Sequence, residues 1–216
     1  MVGKFHDEVD QLKEDVTKMG NLSIEMLKKS VESLKKRDVE IAEYVYSKKD
    51  ELSDMDEKLE EKAFQLIALY QPMAKDMRII ACCLKIITYL ARIGRYGKDI
   101  AKIVIEISDQ PNVSKLVSLP YMNDLVCKMV DDAVHAFKTE DLKYIEDFSE
   151  RDDDIDSLRF SIFRECLSYM MEDPKKITRC THYVMVARYL ERCADHACKM
   201  AEKIHYMVTG ERIEIK

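Results

Sequence analysis

Apolar residues recur along most of this chain at intervals of three and four, the spacing that lines one face of an α-helix. From residue 4 to 36 the series runs Phe5, Val9, Leu12, Val16, Met19 and, after a shift of phase near Gly20, Ile24, Leu27, Val31 and Leu34, with charged residues between. That is the pattern of an amphipathic helix in a bundle. Arg37-Asp38 offers a turn with Asp38 as N-cap, and a second helix is predicted from 39 to Tyr70, where Gln71-Pro72 stops it. A third runs over 74–108 with Ile80, Leu84, Ile87, Ala91, Gly94 and Ala101 on its stripe. Periodicity lapses through Ser108-Asp109-Gln110-Pro111-Asn112-Val113-Ser114 and resumes at Tyr121, Leu125 and Met129, continuing to about Phe137. A fifth helix is predicted from about 140 to Glu172, before Asp173-Pro174, and a sixth over 175–208, before Gly210. The expected fold is all-α, with six long helices in two three-helix bundles, residues 1–110 and 111–216.

Composition agrees with that reading. Five Gly, four Pro and no Trp in 216 residues leave too little turn chemistry for a sheet protein, and 47% hydrophobic residues suffice for a real core. A net charge of -6 argues against nucleic acid or an anionic membrane surface as the main partner, since both call for a basic patch. Proteins and cations fit better. The seven cysteines, Cys82, Cys83, Cys127, Cys166, Cys180, Cys193 and Cys198, contain no Cys-x-x-Cys and sit mostly inside apolar periodic stretches. They are expected to be reduced core residues of a cytosolic protein, not metal ligands. Neither a signal-peptide pattern nor a run of about 18 apolar residues is present, so a cytoplasmic location without membrane insertion is expected.

The two halves resemble each other. Tyr89-Leu90-Ala91-Arg92-Ile93-Gly94-Arg95-Tyr96-Gly97-Lys98-Asp99-Ile100-Ala101-Lys102 lines up with Tyr189-Leu190-Glu191-Arg192-Cys193-Ala194-Asp195-His196-Ala197-Cys198-Lys199-Met200-Ala201-Glu202, 100 positions later, with Tyr, Leu, Arg and Ala recurring in register. Helices of this length span about 50 Å at ~1.5 Å per residue, which suits up-down-up bundles related by pseudo-symmetry.

One acid breaks the sixth helix's pattern. Cys180, Val184, Ala187, Glu191, Ala194, Cys198 and Ala201 form a stripe of mostly small side chains interrupted by Glu191, with Asp195 one turn on. In the fifth helix Ile145, Phe148, Asp152, Ile155, Leu158, Ile162 and Cys166 form a stripe interrupted by Asp152, with Asp156 one turn on. Like charges at i, i+4 repel even on a solvated helix, and an unpaired carboxylate in an apolar seam is strongly unfavourable. A multivalent cation resolves the conflict, and an all-oxygen ligand set suits hard ions such as Fe, Mn, Mg or Ca better than structural zinc. The four side chains would then converge on a common point. The competing reading makes Asp152, Asp153 and Asp154 a solvated acidic run and pairs Glu191 with Arg192, Arg188 or a Lys.

Other candidates carry less. Glu202-x-x-His205 and Asp132-x-x-His135 have the i, i+3 spacing of di-iron carboxylate bundles, against a reading as surface polar residues. His196 stands about 100° round the helix from Asp195 and reads as a neighbour of the acids or a surface residue, not a ligand; His6 and His182 read as solvated or locally satisfied. No phosphate-binding Gly-rich loop, Gly-x-Ser-x-Gly or cysteine nucleophile motif occurs. The residues alone leave a carboxylate-bridged metal enzyme and a purely structural helical interaction module as rival functions.

Gln71-Pro72-Met73-Ala74-Lys75-Asp76-Met77-Arg78, Leu84-Lys85-Ile86 and Leu190-Glu191-Arg192-Cys193-Ala194-Asp195-His196-Ala197 resemble the signatures of the PhoU family, regulators of phosphate signalling built from two three-helix repeats. The resemblance implies metal bound by Glu/Asp-x-x-x-Asp pairs, here Asp152, Asp156, Glu191 and Asp195. At the family's acidic positions in the first repeat, an ungapped alignment puts Lys49, Ser53, Ala91 and Arg95, with Asp50, Asp54, Asp56 and Asp99 nearby. It further implies a non-enzymatic, homodimeric adaptor that restrains phosphate uptake and phosphate-responsive signalling by contacting a phosphate transporter's ATPase subunit, a sensor histidine kinase, or both.

Overall fold

The computed structural model describes residues 2–113 and 118–215. Its six α-helices are α1 (Val2–Lys36), α2 (Val39–Tyr70), α3 (Lys75–Ile107), α4 (Ser118–Thr139), α5 (Phe148–Glu172) and α6 (Ile177–Thr209), and no strand occurs among the described residues. Short 3-10 turns, Leu142–Ile145 and Pro174–Lys176, precede α5 and α6.

The ends follow local chemistry. Asp38 caps α2 by accepting from the Ile41 amide at 3.0 Å. Gln71 closes α2 in the left-handed region, φ 47°, with its N–H on the Ile67 carbonyl, and Pro72 prevents the helix from resuming. Gly210 ends α6 at φ 81°, where a residue without Cβ is favoured.

Two boundaries differ from the sequence reading by three residues or more. α4 begins at Ser118, three residues before Tyr121, because Pro120 falls in the first turn, where its missing N–H is not needed. α5 begins at Phe148, not near 140: Glu140 is left-handed (φ 59°) and the Asp141 side chain accepts from the Lys143 amide at 3.1 Å, starting a 3-10 turn. Of the expected linker, Ser108–Val113 is described and Ser114 lies outside the described residues. Four side chains tie it down: Arg37 donates to the Ser108 carbonyl at 2.9 Å, Asn112 to the Lys35 carbonyl at 3.3 Å, Arg179 to the Pro111 carbonyl at 2.5 Å, and the Tyr183 hydroxyl to Asn112 Oδ1 at 3.2 Å.

α1, α2 and α3 pack on one another, as do α4, α5 and α6, and the two sets meet where α3 lies on α6 and α1 on α4. The approach of α3 to α1 depends on Gly97, where a Cβ would stand 3.0 Å from the backbone carbonyl carbon of Met26. At the α3/α6 crossing Tyr96 stacks on Tyr189 (centroids 5.4 Å apart) and Tyr89 on His196 (5.6 Å). Since 89 and 96 correspond to 189 and 196 in the repeat, a local two-fold exchanges these two contacts. Tyr96 and His196, 6.0 Å apart, lie across that axis.

Candidate metal centre

α5 and α6 pack side by side, and their buried residues Phe148, Ile155, Ile162 and Cys166 on one helix and Ala187, Leu190, Ala194 and Cys198 on the other define the seam. Helical spacing brings Asp152 and Asp156 to the α5 side of it and Glu191 and Asp195 to the α6 side. Asp152 and Asp156 are half-buried while Asp153 and Asp154 are exposed, so the acidic run divides between seam and solvent. Glu191 is buried, at 7% exposure.

The four carboxylates act on one another. Burial, then the charges of Asp195 and Asp156, push Asp152 up from 3.8 to about 6, against a hydrogen bond from the Cys198 thiol that favours the charged form. Burial also raises Glu191; Arg188 and Arg159 pull it down, while Asp195 and Asp156 push it up. Glu191 has counter-ions: Arg188, one turn back, donates to both of its oxygens, and Arg159 on α5 stands 3.7 Å away. Asp195 accepts from Arg192 at 3.2 Å. Asp152 has no cation beside it among the ion pairs of the described residues.

In this arrangement no group of three or more His, Cys, Asp or Glu side chains among the described residues closes on a common point. Glu191 and Asp195 are each paired with arginines instead. The donor set is nonetheless all oxygen and multiply anionic, which is the chemistry a hard cation requires. Holding one here requires Glu191 to exchange Arg188 for the ion. Arg159 is the neighbour of Glu191 that the sequence pattern missed. Its position three residues after Asp156, on the same helix face, is the signal that would have found it.

The remaining candidates separate from the seam. Asp132 is bridged by Lys128 at 2.6 Å and Arg151 at 3.0 Å, and His135 packs at a tilt against Tyr144. Glu202 is buried against Lys199 at 2.7 Å, and His205 Nδ1 stands 3.1 Å from the Glu211 carbonyl oxygen, so neither i, i+3 pair forms a shared ligand set. His196 faces α3, and burial with Arg92 nearby lowers it to about 4, leaving a neutral ring between Tyr89 and Tyr96. All seven cysteines are buried thiols with no disulfide among them.

The equivalent region of the first repeat is different in charge. Lys49, Ser53, Ala91 and Arg95 line one cavity of about 360 Å³ together with Asp50 and Asp56. Arg95 pairs with Asp56 at 3.3 Å, so a cation occupies the place where Asp195 stands in the second repeat.

This two-fold arrangement has counterparts among known proteins. The PhoU domain model matches twice, over residues 16–104 and 119–204. A protein of Caulobacter vibrioides named phosphate-specific transport system accessory protein PhoU homolog is 37% identical over 213 residues, 98% of this chain and 93% of its own. One of the same name from Aquifex aeolicus is 36% identical over 211 residues, 98% of this chain and 96% of its own. The crystal structure of PhoU from Pseudomonas aeruginosa superposes with a TM-score of 0.92 at 29% identity, covering 96% of this chain and 100% of that one. The phosphate transport system regulatory protein PhoU from Streptococcus pneumoniae gives 0.88 at 26% identity, covering 97% and 99%. Two domain matches spanning most of the chain, relatives aligned along nearly all of it and a shared six-helix architecture establish that the chain belongs to the PhoU family.

Proposed function

We propose that this protein is a regulatory accessory of phosphate transport, a cytoplasmic homodimeric adaptor whose second-repeat seam binds a hard divalent or trivalent cation through Asp152, Asp156, Glu191 and Asp195. The observation that carries the metal reading is Asp152: a half-buried carboxylate beside two like charges, with no cation paired to it among the described residues. Bound, the ion would neutralise the seam and fasten α5 to α6. Fe, Mn, Mg and Ca all suit the donors.

The regulatory reading rests on kinship with proteins named as accessory and regulatory components of phosphate transport systems. Signalling by protein contact is supported by the outer face of α5, where Phe160, Phe163, Leu167 and Met171 lie exposed at helical spacing, Met171 at 87%. The partners proposed are the ATPase subunit of a phosphate transporter and a sensor histidine kinase. Biolayer interferometry of the purified chain against each, taken from the same cell, tests this: saturable binding of either supports the adaptor, and binding of neither overturns it. Sedimentation velocity checks the homodimer, which a monomer at tens of micromolar would contradict.

A further inference from the structure

A second charged cavity lies away from the acidic seam, where the first turns of α3 meet the end of α6 and the segment after Gly210. It has a volume of about 280 Å³, and Arg78, Lys85, Lys203 and Arg212 line it together with Tyr206 and Glu202. Four cations and a phenol therefore face one space in a chain whose net charge is -6.

The opposing carboxylate is already engaged. Glu202 is held by Lys199 at 2.7 Å and accepts from the Ile215 amide at 3.2 Å. None of Arg78, Lys85, Lys203 or Arg212 forms an ion pair among the described residues, although Lys4, Lys18, Lys29 and Lys36 of α1 each have one with an acid a turn away. Arg212 instead lies over the Tyr206 ring, 5.4 Å from its centroid. Arg78 is wedged against Gly210, where a Cβ would meet its guanidinium carbon at 3.6 Å, and its Nε is shielded from solvent with no hydrogen-bond partner. A buried guanidinium donor without an acceptor is costly, and one small anion relieves that cost.

We infer that this cavity is an oxyanion site that takes a phosphate dianion, as inorganic phosphate or as the phosphate of a small ester. Two guanidinium forks and two ammonium groups supply charge-assisted donors from several directions, which suits a tetrahedral oxyanion better than a planar carboxylate or a halide. At roughly 30 Å³ per water, the volume admits such an ion with part of its hydration shell. The site stands apart from the metal reading, and its failure would leave that reading untouched.

Isothermal titration calorimetry of the full chain with potassium phosphate tests it, in EDTA so that no metal bridges phosphate to the seam, with potassium chloride at matched ionic strength as reference. Wild type should give saturable heat. The exposed pair K85Q/R212Q and, separately, R78Q should weaken it by about tenfold or more, as expected for lost charge-assisted bonds. K49Q/R95Q, in the first-repeat cavity, should leave it unchanged. In a parallel titration with AMP, binding at least as tight as phosphate identifies an ester as the ligand, and weaker binding identifies the free ion. Absence of saturation at on the order of 10 mM phosphate overturns the site. So does unaltered affinity in K85Q/R212Q with its helical circular dichroism intact, or an equal loss in K49Q/R95Q.

Discussion

At the scale of single residues, Asp152 and His196 have opposite consequences for stability. Asp152 is raised in the folded state, so ionising it costs the fold nothing below its ordinary value near 3.8, and the cost grows as pH climbs to about 6. His196 is depressed to about 4, so the fold loses stability as pH falls from 6.5 towards 4, where the unfolded chain alone takes the proton. Over that window the two oppose each other. In metal-free protein D152N should therefore melt higher at pH 7, by on the order of 1 kcal/mol after allowance for solvent screening, and should expose the acid-side decline due to His196. Thermal melts from pH 7 to 4 check this; a lower melting point for D152N at pH 7 in EDTA would contradict it. Arg188 supplies a second test. As the counter-ion that Glu191 must release, it competes with metal, so R188Q should bind Mn more tightly than wild type while its apo form is less stable. Weaker Mn binding by calorimetry would show that Arg188 assists the site. The two interrupted stripes made Asp152 and Glu191 legible from periodicity. The arginines that neutralise Glu191 were not fixed by it, because a long side chain on a neighbouring turn has several partners within reach and packing selects among them.

Among elements, the six helices followed from the apolar spacing because each buries one face, whereas the start of α5 did not. Ile145 and Phe148 continue the stripe that leads into Asp152, yet Ile145 belongs to a 3-10 turn and Phe148 to the α-helix. Three residues per turn and 3.6 both return a side chain at i, i+3 to the same face, so burial spacing does not separate the two conformations over so short a stretch. The left-handed Glu140 was likewise concealed, since Gly or Asn is the usual signal for such a backbone. The approach of α3 to α1 has a clearer signature. Gly97 corresponds to Ala197 in the second repeat, and its missing Cβ admits the Met26 backbone. Backbone cannot turn aside as a side chain can, so G97A should destabilise by about 1–3 kcal/mol. Urea unfolding checks this, and an unchanged midpoint would mean that α1 and α3 slide apart without loss.

For the whole molecule, a repeated sequence has produced two similar halves with opposite charge at equivalent places. The register of residues 89–102 with 189–202 was visible in the sequence, and the exchanged stacking of Tyr89, Tyr96, Tyr189 and His196 is its spatial expression. Duplicated helices need duplicated packing, and that keeps Leu90 with Leu190 and Ala101 with Ala201 buried alike. Surface charge is under no such constraint, so Arg95 and Asp195 are free to differ. The central claim is that this difference makes the second repeat, and not the first, a metal centre. Melting temperature as a function of added Mn at pH 7, after chelator stripping, tests it most directly in wild type, D152N/D195N and K49Q/R95Q. A saturable rise is expected for wild type and K49Q/R95Q and none for D152N/D195N, with the rise shrinking towards pH 5 as the ligands protonate. Superimposable wild-type melts with and without Mn would contradict it, as would a rise that survives in D152N/D195N.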